Sequence, residues 1–132
     1  MLKIGIKGIE IFHVSDRTTA KSMNSGTLDV LSTPFLIAKM EESAWRSVQS
    51  VLKENESTVG CVIEVKHLSP TPIGMTVKCI STITQINNRD LLFKVEAFDE
   101  QGLIATGQHK RVIIETQHFL NKANSKKNAL QQ

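Results

Sequence analysis

The segment from Thr33 to Leu52 constrains the fold more than any other part of this chain. Ile37, Met40, Ala44, Val48, Val51 and Leu52 recur at three- and four-residue spacing, the period that stacks side chains on one face of a helix. Phe35, Leu36, Ala38 and Trp45 widen the apolar surface well beyond one stripe. A helix apolar over so wide an arc has to be wrapped by other structure. Thr33-Pro34 marks its start, since a threonine oxygen can cap free N–H groups and proline suits the first helical turn. Its end is expected near Lys53-Glu54-Asn55.

The wrapping has to come from strands. Four strand-like runs follow the helix, Val59–Ser69, Met75–Ile86, Leu91–Asp99 and Leu103–Ile114. Short turn sequences separate them: Pro70-Thr71-Pro72-Ile73-Gly74, Asn87-Asn88-Arg89-Asp90 and Glu100-Gln101-Gly102. Separators this short predict antiparallel neighbours. Ile9-Glu10-Ile11-Phe12-His13-Val14 reads as an earlier strand, and the polar stretch Ser15–Ser32 as a loop or short lid. The expected class is α+β, a curved antiparallel sheet around one long helix. Its open edges predict pairing with a second copy.

The 132 residues suffice for one cored domain, expected over residues 1–120. Residues 121–132 are polar and read as a frayed tail, with at most a short helix after Thr116. Cys61 and Cys79 form no disulfide framework and read as buried packing thiols. The net charge of +3 suits an anionic small molecule, but aromatics at 5% offer no platform for bases, so nucleic-acid binding is not expected. No stretch is apolar for long enough to span a bilayer, and no signal-like run opens the sequence. A cytoplasmic protein without membrane contact is expected.

Two residues break the apolar pattern. His67 falls on the same alternating face as Val59, Cys61, Ile63 and Val65. A satisfied histidine at a strand end would explain it, and so would a proton carrier, since imidazole titrates near neutrality. Glu41 lies on the helix stripe between Met40 and Ala44. It could be an interface carboxylate paired with a cation, or a base whose pKa is raised by an apolar setting. Thr33, at the helix start, is either a plain cap or part of an oxyanion site at the positive end of the helix dipole. Thr33 and Glu41 are eight residues apart, about 12 Å along a helix. They can act on one group only if substrate bridges them or a partner subunit supplies one. Arg111 alternates with His109 on the last strand and can hold an anion or simply form a salt bridge. His13 and His118 have no supporting neighbours. No spacing fits a metal site, a Gly-rich phosphate loop or a Gly-x-Ser-x-Gly elbow.

Together these residues resemble the hotdog-fold acyl-CoA thioesterases, in particular the fluoroacetyl-CoA thioesterase-like group. The resemblance spans about Ser32 to Phe119. It is carried by Ser32-Thr33-Pro34-Phe35 with Met40-Glu41, Gly60 with His67, Thr71-Pro72-Ile73-Gly74-Met75-Thr76-Val77, and Gly107-Gln108-His109-Lys110-Arg111-Val112. It implies a hotdog fold and a catalytic set of Thr33, Glu41 and His67. It also implies that Gly60 and Arg111 line the site, with Phe35 as a further substrate-binding residue. The implied activity is hydrolysis of a short acyl thioester of coenzyme A by a dimer, without a metal or other cofactor. Pro34 departs from the group, which has glycine after the threonine. Proline lacks an N–H, so any oxyanion donation there would shift to Phe35 or Leu36. Ser15–Leu31 does not match the fluoroacetyl enzyme's lid, so its acyl preference is not carried over. The alternative is a non-catalytic acyl-CoA or small-ligand binding module. A structural dimer with a vestigial site is a third reading, because fold alone does not fix function. A thioester hydratase fits less well, for the helix shows no Asp/His hydratase signature.

Overall fold

The computed structural model describes residues 1–130. The elements follow the order β1 (Lys7–His13), α1 (Thr33–Gln49), β2 (Glu56–His67), β3 (Thr76–Asn87), β4 (Asp90–Asp99), β5 (Gly102–Glu115) and α2 (Thr116–Leu130). The strands form one five-stranded sheet in the order β1-β3-β4-β5-β2, and every pairing is antiparallel. The expected meander β3-β4-β5 is present. β2 and β1 occupy the two edges.

Helix α1 packs across the sheet's inner face. Leu36, Met40, Ala44 and Val48 of the helix are fully buried against Val77, Cys79, Phe93, Val95 and Ala97. Burying one of the Leu, Met, Val or Phe side chains among them contributes about 1.5–3 kcal/mol. The helix reaches β1 at Gly8, where a side-chain Cβ would lie inside the Ser43 carbonyl of α1. Only glycine permits that approach.

Four details differ from the sequence reading. The N-cap of α1 is Ser32, whose hydroxyl accepts the Phe35 N–H at 3.2 Å. Thr33 is the first helical residue and is free of capping duty. The helix closes at Gln49, with Ser50 as its C-cap, ahead of the expected Lys53. After Thr116 the chain forms a fifteen-residue helix in place of a frayed tail, and none of its residues is buried. It is polar nearly all round, which hid it from a search for apolar periodicity. Last, the register of β2 shifts between Gly60 and Val62. This bulge at Cys61 inverts the alternation: Ile63, Val65 and His67 share the face of Thr58 and Gly60, while Val59 lies on the other face. Cys61 is exposed on the bulge, contrary to its expected burial. Cys79 is buried as expected, and burial pushes its thiol up to about 12.

The segment 15–32 is an ordered loop. Short bridges join Thr19 to Leu31 and Val30 to Pro72. Leu31 is buried and donates its N–H to the Thr71 carbonyl. The loop therefore closes over the start of α1, as a lid would.

Candidate active site

The site lies along the seam between α1 and β2. Thr33, Ile37 and Glu41 follow one another at four-residue steps, so they point along one stripe of the helix. His67, Val65, Ile63 and Gly60 line the facing side of β2. Polar groups gather at both ends of this seam, with apolar residues between them.

At the first end, Thr33 Oγ1 lies 2.7 Å from His67 Nδ1. The pair joins the helix start to the end of β2, and it exists because Ser32 rather than Thr33 caps the helix. The other ring nitrogen, Nε2, is buried without a hydrogen-bond partner. Burial holds His67 below its ordinary pKa, against a smaller opposing effect of the Ser69 backbone. A neutral imidazole there can accept the threonine proton. The pair opens into a cavity of about 280 Å³ walled by Ala20, Ser25, Val30, Leu31, Leu68 and Pro70. The lid loop supplies the first four.

At the second end, Arg111 is 6% exposed. Its Nε and Nη2 donate to the side chain and carbonyl of Thr58 at 2.8 and 3.0 Å. Nη1 faces Glu41 Oε2 at 3.5 Å and His109 Nε2 at 3.1 Å. Burial pulls the guanidinium below its usual range, against the Glu41 carboxylate. Gly60 closes the cluster. A Cβ there would meet Glu41 Oε2 at 2.9 Å, His109 Cε1 at 3.1 Å and Arg111 Nη1 at 3.2 Å, so glycine leaves the room the cluster needs.

A cleft of about 880 Å³ adjoins the seam between the two ends, with Ile37, Ile63, Val65 and Phe93 among its walls and Lys66 and Lys94 on it. Among the described residues, no group of three His, Cys, Asp or Glu is placed to hold a metal ion. No described helix is long and apolar enough to cross a membrane.

Thr33 and His67 meet, and Glu41, Gly60 and Arg111 meet, but the two groups stand apart. Glu41 is 39% exposed beside Arg111, so of its two readings the geometry matches the carboxylate paired with a cation. Phe35 is placed elsewhere. Its ring packs edge-on against Phe12 at 5.1 Å, with the Lys39 ammonium over it, and neither cavity is walled by it. The expected transfer of oxyanion donation to Phe35 or Leu36 also fails. Both N–H groups are taken by Ser32, one by its hydroxyl and one by its carbonyl. Two residues that complete the second cluster, Thr58 and His109, went unassigned. The two-residue alternation of β5 put His109 on the Arg111 face. Thr58 gave no such signal, because the bulge conceals its face.

The family model of the fluoroacetyl-CoA-specific thioesterase matches residues 14–117. The fluoroacetyl-CoA thioesterase of Streptantibioticus cattleyicolor is 31% identical over 98 residues, covering 74% of this chain and 70% of that protein. The chain belongs to this thioesterase family. A solved structure of a fluoroacetyl-CoA thioesterase superposes with a TM-score of 0.89 at 26% identity, covering 96% of this chain and 98% of the other. A thioesterase-superfamily member from Thermus thermophilus shares the fold, with a TM-score of 0.87 at 22% identity and 98% of each chain covered. The curled sheet with its helix is thus the hotdog architecture that the sequence resemblance implied.

Proposed function

We propose that this protein hydrolyses a short-chain acyl thioester of coenzyme A at the Thr33–His67 pair. The observation that carries this reading is the 2.7 Å contact between Thr33 Oγ1 and His67 Nδ1 at the mouth of a small, largely apolar cavity. Family membership supports it. His67, neutral at physiological pH, takes a proton from the Thr33 hydroxyl or from a water which that hydroxyl holds. The resulting oxygen nucleophile adds to the thioester carbonyl. The C–S bond then breaks, and the leaving thiolate receives the proton from His67. If Thr33 itself is acylated, a water repeats the cycle and frees the acid. The start of α1 lies at the same point, and its dipole favours the carbonyl oxygen as charge develops there.

Glu41, with Gly60 and Arg111, completes the site in this reading, from the far end of the same seam or from a partner subunit. Glu41 acts there as a carboxylate held by Arg111. The small cavity suits an acyl group of a few carbons, and the relatives' fluoroacetyl ester makes two-carbon esters the first compounds to test. No cofactor is needed beyond the coenzyme A of the substrate. A cytoplasmic location fits the exposed free thiol of Cys61, and a homodimer fits the open edge of β2.

The test is thiol release from a panel of acyl-CoA esters by wild type, Glu41→Ala and His67→Ala. The expected result is turnover by wild type and a loss on the order of a hundred- to ten-thousandfold in both His67→Ala and Glu41→Ala. Melting shifts with acyl-CoA but no turnover on any ester would replace this reading with a binding module.

A further inference from the structure

His109 is 1% exposed, yet both of its nitrogens are engaged. Nδ1 lies 2.7 Å from the Val62 carbonyl, just past the β2 bulge. Nε2 lies 3.1 Å from Arg111 Nη1. A guanidinium only donates, so Nε2 must accept, and the ring proton must sit on Nδ1 and point to Val62. One neutral tautomer satisfies both contacts. A protonated ring would set a second donor and a second cation against Arg111.

These contacts form a chain that runs from the bulge backbone through His109 to Arg111 by hydrogen bonds and on to Glu41 by an ion pair. Thr58 holds the guanidinium at Nε and Nη2. That leaves Nη1 as the arm that reaches Glu41, and His109 is the group that aims this arm. The groups facing the ring are Arg111 from its own strand, Glu41 from α1, the Val62 carbonyl and Gly60 from β2, and the uncharged Phe93 ring from β4, 6.2 Å between centroids. A histidine of purely structural use would have no reason to meet the one arm of Arg111 that also meets Glu41.

We propose that His109 is a positioning residue of the thioesterase site: its Nδ1–H tautomer, fixed by the bulge carbonyl of Val62, sets Arg111 and through it Glu41. This rests on the hydrolase reading above. It is tested with two variants, His109→Gln and His109→Asn, that each keep half of the ring's bonding. The longer glutamine amide can place an acceptor where Nε2 was, and the shorter asparagine amide can place a donor where Nδ1 was. With both variants folded, His109→Gln is expected to keep kcat within about tenfold of wild type, while His109→Asn loses about a hundredfold, the scale of an ångström-sized misplacement. Equal kcat losses in the two, or an undiminished His109→Asn, would overturn the proposal. Nitrogen-15 NMR of the wild-type imidazoles gives a second readout that needs neither variant. His109 protonated on Nδ1 and bare on Nε2 supports the chain, and the opposite tautomer breaks it. Wild type that releases no thiol from any ester defeats the hydrolase reading instead, and the tautomer then decides the positioning chain alone.

Discussion

Gly60 shows how much of this site depends on one absent side chain. Three groups converge on the point where its Cβ would stand, at 2.9, 3.1 and 3.2 Å. Arg111 and His109 are buried and fixed, so Glu41, more than a third exposed, is the group that must yield. Gly60→Ala should therefore cost roughly 1–3 kcal/mol of stability by overpacking but about a hundredfold in kcat by displacing Glu41. Chemical denaturation beside steady-state kinetics checks the split, and wild-type activity in the alanine variant would remove Gly60 and Glu41 from the groove. The two inner histidines carry a separate consequence. His67 and His109 are both held below 6.5, in each case by burial first. Between 6.5 and those lower values the unfolded chain binds protons that the folded chain refuses, so stability is full above pH 6.5 and is lost as the pH falls through the folded-state values. The melting temperature should hold steady at neutral pH and decline below about 6.5, less steeply in His109→Gln than in wild type. A flat profile in wild type down to about pH 5 would show that neither ring resists protonation.

Among the elements, those with strong periodicity were legible in the sequence. The apolar arc of α1 and the short turns of the β3-β4-β5 meander placed both within a few residues of where they lie. What the sequence hid was hidden by local geometry. The β2 bulge adds one residue to a pattern of period two, so every side-chain assignment before Cys61 inverts while those after it stand. His67 therefore keeps the expected company of Ile63 and Val65, and not that of Val59. The start of α1 was ambiguous between Ser32 and Thr33, adjacent hydroxyl residues that can both cap. Only the structure shows that Ser32 caps and so leaves Thr33 to meet His67. Glu41 stood out on the helix stripe, but its partner Arg111 lies far along the chain on β5, and no helical spacing reveals a contact across that distance. α2 makes the converse point. Without an apolar face it gave no periodic signal, and it lies exposed beyond the sheet.

At the scale of the whole molecule, the separation of the two polar clusters requires an explanation. Thr33 with His67 and Glu41 with Arg111 sit about 12 Å apart along α1, on the side of the sheet that ends in β2. That strand pairs with β5 on one side only and offers a twelve-residue open edge. Val62, near its middle, is 46% exposed. A long open edge is a template for another strand, and a two-fold pairing of β2 with its own copy would set the two seams antiparallel, the Thr33 end of each beside the Glu41 end of the other. Each complete site would then take Thr33 and His67 from one subunit and Glu41 from the other. This arrangement predicts rescue between two inactive proteins. In a mixed dimer of His67→Ala with Glu41→Ala, one site carries both changes and the other carries neither. Random equal mixing makes about half of the dimers mixed, each with one working site, so about a quarter of wild-type activity should return. Light scattering tests for the dimer, and activity after co-refolding the two variants reads the rescue. Activity no higher than that of either variant alone, in mixed dimers isolated by two different tags, would mean that each subunit holds its whole site and that the substrate itself spans the seam.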